Sequence, residues 1–290
     1  MHSFLRAIGF SEIKNRRLLE PVYKRVLAAP TKRSIYNVSA DTQIIQLDKD
    51  FGDGFGISLV GESAPDGSVS IEHYFPYLKS DVITYQDYIS IEKHGDKEAY
   101  AGVSDDLNLG MALIFFLQNI SEYAQALWMN KPILYADHAY LAALSAGGKV
   151  ILDLAPEKTI SETHVVESSR RKLINAVKRG EDAAMESLTL KDMDMYAILR
   201  RRIKKEDVLS IVSSSFMPYG IETEHYSVIA NILSCDLREN TLSGEKVYVM
   251  DIETNDIMMK LAINQKDLLG EPAVGRRFKG EIWLQGRITI

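Results

Sequence analysis

Over most of this chain apolar and polar residues alternate with a period of two, the pattern of half-buried strands, and only a few stretches shift to the 3.6-residue period of an amphipathic helix. Strands are predicted at Ile35–Val38, Thr42–Leu47, Phe55–Gly61, Ser68–Phe75, Tyr85–Glu92 and Glu98–Val103. Ala64-Pro65-Asp66-Gly67 joins the third and fourth of these as a hairpin, because Pro presets φ and Gly accepts a positive φ. Leu109–Gln118 is a continuous apolar run whose length favours a buried strand, and Ser121 opens a short helix reaching Met129. Ala139–Leu144 and Val150–Leu154 read as a second hairpin turning at Ala146-Gly147-Gly148. Near the start, residues 3–10 suit a short strand. Ser11 is a candidate N-cap there, and Pro21 divides the following helical pattern into pieces at about 11–17 and 20–29.

Helical spacing returns at Val166–Arg179 and again after Thr189, where Leu190, Met193, Tyr196, Leu199 and Ile203 share one face. Beyond it the pattern is β: Tyr226–Leu237, Lys246–Glu253, Ile257–Ile263 and Phe278–Ile290, with turns at Ser243-Gly244 and Asn255-Asp256 and a short helix or turn around Gln265–Leu269. Four or five such strands suit a small, partly open barrel, of which the oligonucleotide/oligosaccharide-binding type is one possibility. The expected fold class is therefore α+β: a predominantly antiparallel sheet with an N-terminal helix, a central helical insert and a C-terminal small β-barrel-like module. The expected units are residues 1–160 as the sheet domain, 161–220 as the helical segment and 221–290 as the terminal β module, possible to merge with 161–220.

Composition narrows the functional classes. At 290 residues with 46% apolar content the chain can bury a sizeable core. The lone Cys235 excludes an internal disulfide and any multi-cysteine metal site, and fits a reducing, cytoplasmic setting. The first residues lack the charged-then-apolar pattern of a secretion signal, and the Leu109–Leu117 run is about half of the ~20 residues a membrane span needs, so no membrane association is expected. The net charge of −6 is unevenly spread: residues 1–33 carry eight Lys/Arg against two Asp/Glu, whereas the next hundred or so are acidic.

Standard catalytic and cofactor motifs are absent or broken. Gly102-Val103-Ser104-Asp105-Asp106 lacks the second glycine of a nucleophile elbow, and Asp137 and His138, adjacent on a strand, point to opposite faces. Asp48-Lys49-Asp50-Phe51-Gly52-Asp53-Gly54 lacks the closing Glu of a calcium loop, and Gly147-Gly148-Lys149 lacks the rest of a phosphate loop. Glu222, Glu224 and His225 are the only compact set of metal-type donors, and are read as strand residues. No catalytic residue, metal or cofactor is assigned. The binding candidates are Arg276, Arg277, Lys279, Trp283 and Arg287, since cationic groups around an aromatic ring are the general recipe for single-stranded nucleic acid; Arg200-Arg201-Arg202-Ile203-Lys204-Lys205 offers further phosphate-neutralising charge.

Leu5-Arg6-Ala7-Ile8-Gly9-Phe10-Ser11, Gly54-Phe55-Gly56, Tyr100-Ala101-Gly102-Val103, Phe216-Met217-Pro218-Tyr219-Gly220-Ile221 and the Asp267–Gly286 run occur in an order that resembles an uncharacterised, full-length domain family of Gram-positive anaerobic (clostridial) bacteria. That resemblance implies no activity, cofactor or site. The resulting expectation is a cytoplasmic, non-enzymatic protein that binds another protein or a small molecule. The alternatives are a hydrolase with a dispersed site around Ser104, Asp105, Asp106 and His138, and nucleic-acid binding through the terminal module.

Overall fold

A computed structural model describes residues 2–37, 43–63, 68–85, 89–93, 99–106, 111–129, 138–151, 212, 214–220 and 224–289. Of these, 61% are strand and 16% helix, which corrects the α+β expectation: the described fold is mostly β, a closed five-strand barrel plus an antiparallel sheet. The helical insert anticipated around 166–203, with Asp137, Glu222 and Arg200–Lys205, lies outside the described residues.

Strands β1 (Lys32–Asn37), β2 (Gln43–Gly52), β3 (Phe55–Ser63) and β4 (Val69–Leu78) form the antiparallel sheet in chain order. Then come β5 (Ile83–Tyr85), β6 (Ser90–Lys93), β7 (Tyr100–Asp106), β8 (Met111–Leu117), helix α2 (Ile120–Trp128) and β9 (Ala139–Ile151). After the gap follow β10 (Ser215–Pro218), β11 (His225–Glu239), β12 (Lys246–Thr254), β13 (Ile257–Asn264), β14 (Leu268–Leu269) and β15 (Arg277–Ile288). The N-terminal helix, α1 (Arg16–Ala28), precedes β1.

The barrel ring runs β11-β12-β13-β9-β15 and closes through β15–β11 pairing; β13–β9 is parallel and the other four contacts are antiparallel. This is the cyclic order of an oligonucleotide/oligosaccharide-binding-type barrel in which the strand lying parallel to its neighbour comes first in the chain instead of last. The barrel expected from the terminal strands is thus completed by β9. The turn at Asn255-Asp256 holds φ of 50° and 64°, the left-handed pair of a tight hairpin. Along β13, buried Ile257, Met259, Leu261 and Ile263 alternate with exposed Met258 and half-buried Lys260.

Three local readings change. Residues 3–8 form a 3-10 helix rather than a strand, ended by Gly9 at φ 85°. Helix α1 runs through Pro21, because Leu19, Val22 and Val26 are buried at helical spacing and their packing outweighs the one backbone bond proline removes. Its cap is Asn15, whose side chain accepts from the Leu18 N–H at 3.0 Å, while Ser11 binds Glu245 instead. Finally, Gly147-Gly148 does not turn: β9 passes straight through it. A Cβ on Gly148 would lie 2.4 Å from the Phe278 ring, so this glycine is needed where the buried ring crosses β9.

The 3-10 helix is tied to the barrel by buried amides. Asn240 Nδ2 donates to the Ile8 carbonyl at 2.7 Å, and Asn264 Nδ2 donates to the Arg6 carbonyl at 3.1 Å and to Glu245 Oε2 at 2.6 Å. Glu245 also receives Ser11 and Lys266. Burial opposes its ionisation, but these donors prevail and hold its carboxyl below the usual range. Arg6 pairs with Asp267. Among the described residues no helix is long and apolar enough to cross a membrane.

Gly148→Ala is expected to destabilise the protein by about 1–3 kcal/mol through overpacking against Phe278. Gly147→Ala, whose new methyl meets nothing within 4 Å, is expected to stay within about 1 kcal/mol of the parent. Urea denaturation of both variants checks the pair; equal loss in both would show that the double glycine serves backbone freedom rather than ring clearance.

Candidate functional site

The sheet β1–β4 meets the barrel along a seam where backbone groups are bound by side-chain amides instead of by a neighbouring strand. Gln285, fully buried on β15, donates from Nε2 to the Pro76 carbonyl at 2.7 Å. Gln118 Nε2 donates to the Leu78 carbonyl and to Gln285 Oε1, each at 2.9 Å. Both carbonyls belong to β4, the edge of its sheet, so the amides supply partners that an edge strand lacks. Asn119 repeats the device on β15: its Nδ2 donates to the Ile288 carbonyl at 2.9 Å, and the Ile288 N–H donates to its Oδ1 at 3.2 Å. Gln46 from β2 donates to the Gln118 carbonyl at 2.9 Å and accepts the Ser121 N–H at 3.2 Å, which meets one of the open donors at the start of α2.

A cleft of about 500 Å³ opens on this seam, walled by α2 (Glu122, Gln125, Ala126), Tyr140, and Arg287 to Thr289 at the end of β15. Glu122 and Arg287 also line a smaller recess of about 110 Å³ that reaches Gln46, Asp48, Tyr77, Lys79 and Lys32. Most charged groups here are matched. Lys32 Nζ is 2.7 Å from Glu122 Oε1, Lys79 Nζ is 2.7 Å from Asp50 Oδ1, and the Tyr77 hydroxyl donates to Asp50 at 2.6 Å. Arg287, with 59% of its side chain exposed, reaches Glu122 only at 3.8 Å.

The environment separates the acids. Burial pushes Asp48 up, and the hydrogen bonds from Ser58 and Gln46 and the charges of Lys32 and Lys79 do not fully offset it. Burial works the same way on Glu122, but there the bonds from Lys32 and Asn119 and the nearby Arg287 win and hold its carboxyl low. Burial, followed by the hydrogen bond to Asp50 and the charges of Asp50 and Asp48, keeps Tyr77 protonated far beyond its ordinary range. The seam is thus a preformed polar cleft with one acid, Asp48, that has no ion-pair partner within 4 Å among the described residues. A wider cleft of about 820 Å³ between α1 and β4 is lined by His2, Arg16, Glu20, Tyr23, Glu72, His73 and Tyr74. Burial raises Tyr23 there to about 12.

The residues singled out by sequence are dispersed. Trp283 is 5% exposed and packs against the rings of His2, Phe4 and Phe116 at centroid distances of 4.3, 5.7 and 5.2 Å, which counts against base stacking. Burial, then the charge of His225, lowers His2 to about 4, so it sits there as a neutral ring. Arg277 is buried and donates to the Val212 carbonyl at 2.6 Å; Arg276 donates to the Glu271 carbonyl at 2.6 Å. Lys279 is half-buried, opposite Ile229 and Lys149. Arg287 lies ten residues beyond Arg277, about 33 Å along the strand, and alone among the five it lines the seam. Ser104 is buried opposite Leu113, while the His138 carbonyl binds the Thr289 N–H; no hydrogen bond joins Ser104 to His138. Among the described residues no three His, Cys, Asp or Glu side chains gather into a metal cage. Lys32, Asp48 and Glu122 carried no sequence signal, since 90 residues separate the first from the last; the broken calcium-loop pattern did pass through Asp48 and Asp50.

The chain belongs to the family described as "Domain of unknown function, E. rectale Gene description (DUF3881)", whose profile matches residues 5–286. No curated protein and no solved structure matches it.

Because Asp48 holds its proton more tightly folded than unfolded, its charge costs stability at neutral pH and costs nothing once acid has protonated both states. Asp48→Asn is therefore expected to raise Tm at pH 7, with the advantage fading as pH falls from the raised folded pKa toward the ordinary carboxylate value of about 3.9 and absent below it; a lower Tm at pH 7 would contradict this. Trp283→Ala is expected to cost about 3–5 kcal/mol in urea denaturation, and unchanged stability would overturn its assignment to the core.

Proposed function

We propose that this family member is a cytoplasmic small-molecule-binding protein whose ligand occupies the seam cleft. One observation carries the reading: an open space of about 500 Å³ and a charged recess of about 110 Å³ share Glu122 and Arg287 in their walls, on a seam fixed by hydrogen bonds from both sheets. Binding sites are typically concave, preformed and supplied with a few convergent polar groups, and this cleft has that character. Its apolar contribution comes from Ala126, Met129 and Ile288, its polar contribution from Glu122, Tyr140 and Arg287. A cytoplasmic setting suits the lone Cys235, whose thiol is pushed up by burial, away from reactivity.

The test is a thermal-shift and protein-observed NMR screen with small polar metabolites. A ligand at a hundred times its Kd stabilises by about 2.7 kcal/mol, which is several degrees for a chain of this size. Expected are binders that move resonances of Tyr140 and Met129 and are lost in Thr289→Trp, a substitution at the exposed rim of the cleft. If no compound perturbs the cleft, or if Thr289→Trp leaves every binder unaffected, the reading fails.

A further inference from the structure

We propose that the ligand of the seam cleft is a free α-amino acid with an apolar or aromatic side chain, held as a zwitterion with its ammonium group at Asp48 and its carboxylate at Arg287. This rests on the cleft being a ligand site, and it deepens that reading by naming the ligand's chemistry.

The charges select the class. Lys32 and Lys79 are engaged by Glu122 and Asp50, which leaves Asp48 with neutral groups, the Gln46 amide at 3.1 Å and the Ser58 hydroxyl, and no cation within 4 Å among the described residues. A shielded carboxylate without a counter-ion favours a ligand that brings one. Arg287 has the complementary character: a largely exposed guanidinium whose one ion contact is a long 3.8 Å approach to Glu122, so its planar fork can take a carboxylate through two parallel hydrogen bonds. The recess is lined by Lys32, Lys79 and Arg287 against Asp48 and Glu122. With both lysines engaged, a simple cation would satisfy Asp48 and leave Arg287 unmet, whereas a simple anion would pair with Arg287 and leave Asp48 unmet. A zwitterion meets both ends and adds no net charge.

The dimensions agree. The recess of about 110 Å³ equals three to four water volumes at roughly 30 Å³ each, room for the ammonium, α-carbon and carboxylate common to all amino acids. The adjoining space of about 500 Å³ is bordered by Ala126, Met129, Tyr140 and Ile288 beside the polar Ser80, Gln125 and Thr289, which gives a large side chain both room and apolar contact.

The experiment is isothermal titration calorimetry at pH 7 with L-leucine and L-phenylalanine. Each is compared with the amine lacking the carboxylate (isopentylamine, phenethylamine) and the acid lacking the amine (4-methylpentanoate, 3-phenylpropanoate). At least one amino acid is expected to bind tenfold or more tightly than either of its fragments, and Asp48→Asn and Arg287→Gln are each expected to weaken it tenfold or more. Lys24→Ala, on the exposed face of α1, should change nothing. Circular dichroism confirms that the variants remain folded. An amine or acid that binds as well as its parent, or an Asp48→Asn variant that binds normally, overturns the proposal. If the amino acids give no heat while other metabolites still move Tyr140 and Met129 resonances, the ligand class is wrong and the cleft reading stands; if neither happens, both fall.

Discussion

The side-chain amide of Gln285 is the joint on which the architecture depends. It is fully buried, so both its donor and its acceptor must be met, and it meets them across the boundary between the barrel and the antiparallel sheet. An amide side chain repeats the peptide group's own donor and acceptor, which lets it stand in for a missing strand beside β4. Gln118 and Asn119 extend the same solution to the edge of β4 and to the end of β15. Apolar contact alone would hold the two sheets together without fixing how far one slides along the other. Polar groups that lose about 1–3 kcal/mol each when left unpaired supply that register.

The seam cleft follows from this joint. Because β4 is bound by side chains rather than by another strand, the sheets need not continue into one another there, and the cleft is walled on one side by α2. The helix is placed by Gln46 at its start and by Glu122, which joins Lys32 of β1 to Arg287 of β15. The charged recess therefore sits where three elements converge, and a change to any amide in the seam would move its walls. A comparable bond set around Glu245 fixes the 3-10 helix on the barrel, where Phe4 covers Trp283.

Much of the fold was legible in the sequence because strand alternation and turn chemistry are local. The Leu109–Gln118 run, α2 and the β12–β13 hairpin with its Asn255-Asp256 turn all correspond to the structure, and the family resemblance agrees with the profile match. What was not legible depended on distant partners. Gly147-Gly148 looked like a turn because the residue that requires the glycine, Phe278, lies 130 positions away. Pro21 looked like a break because the sheet that holds α1 together cannot be seen from within the helix. The fold class leaned to α+β because a barrel closed by a strand from upstream leaves no local mark. Cation and aromatic spacing around Trp283 is likewise the same on paper whether the ring faces solvent or His2 and Phe4.

Asp48 is a feature of the recess that this economy of satisfied groups does not explain. Every neighbouring acid has a cation or several donors, and those arrangements lower or offset the cost of burial; Asp48 alone is left with a carboxyl held above its ordinary range. An asparagine would keep the Gln46 bond and remove the charge, so stability by itself gives no reason for the acid. Uncompensated charge of this kind is what functional sites retain at the expense of stability, since a bound partner can supply the missing countercharge. Its place in a recess that Arg287 also lines gives that partner a direction as well as a sign. The same burial that makes the empty site costly would strengthen the ion pair once water is displaced, so the liability in the free protein and the selectivity for a zwitterion have a common cause.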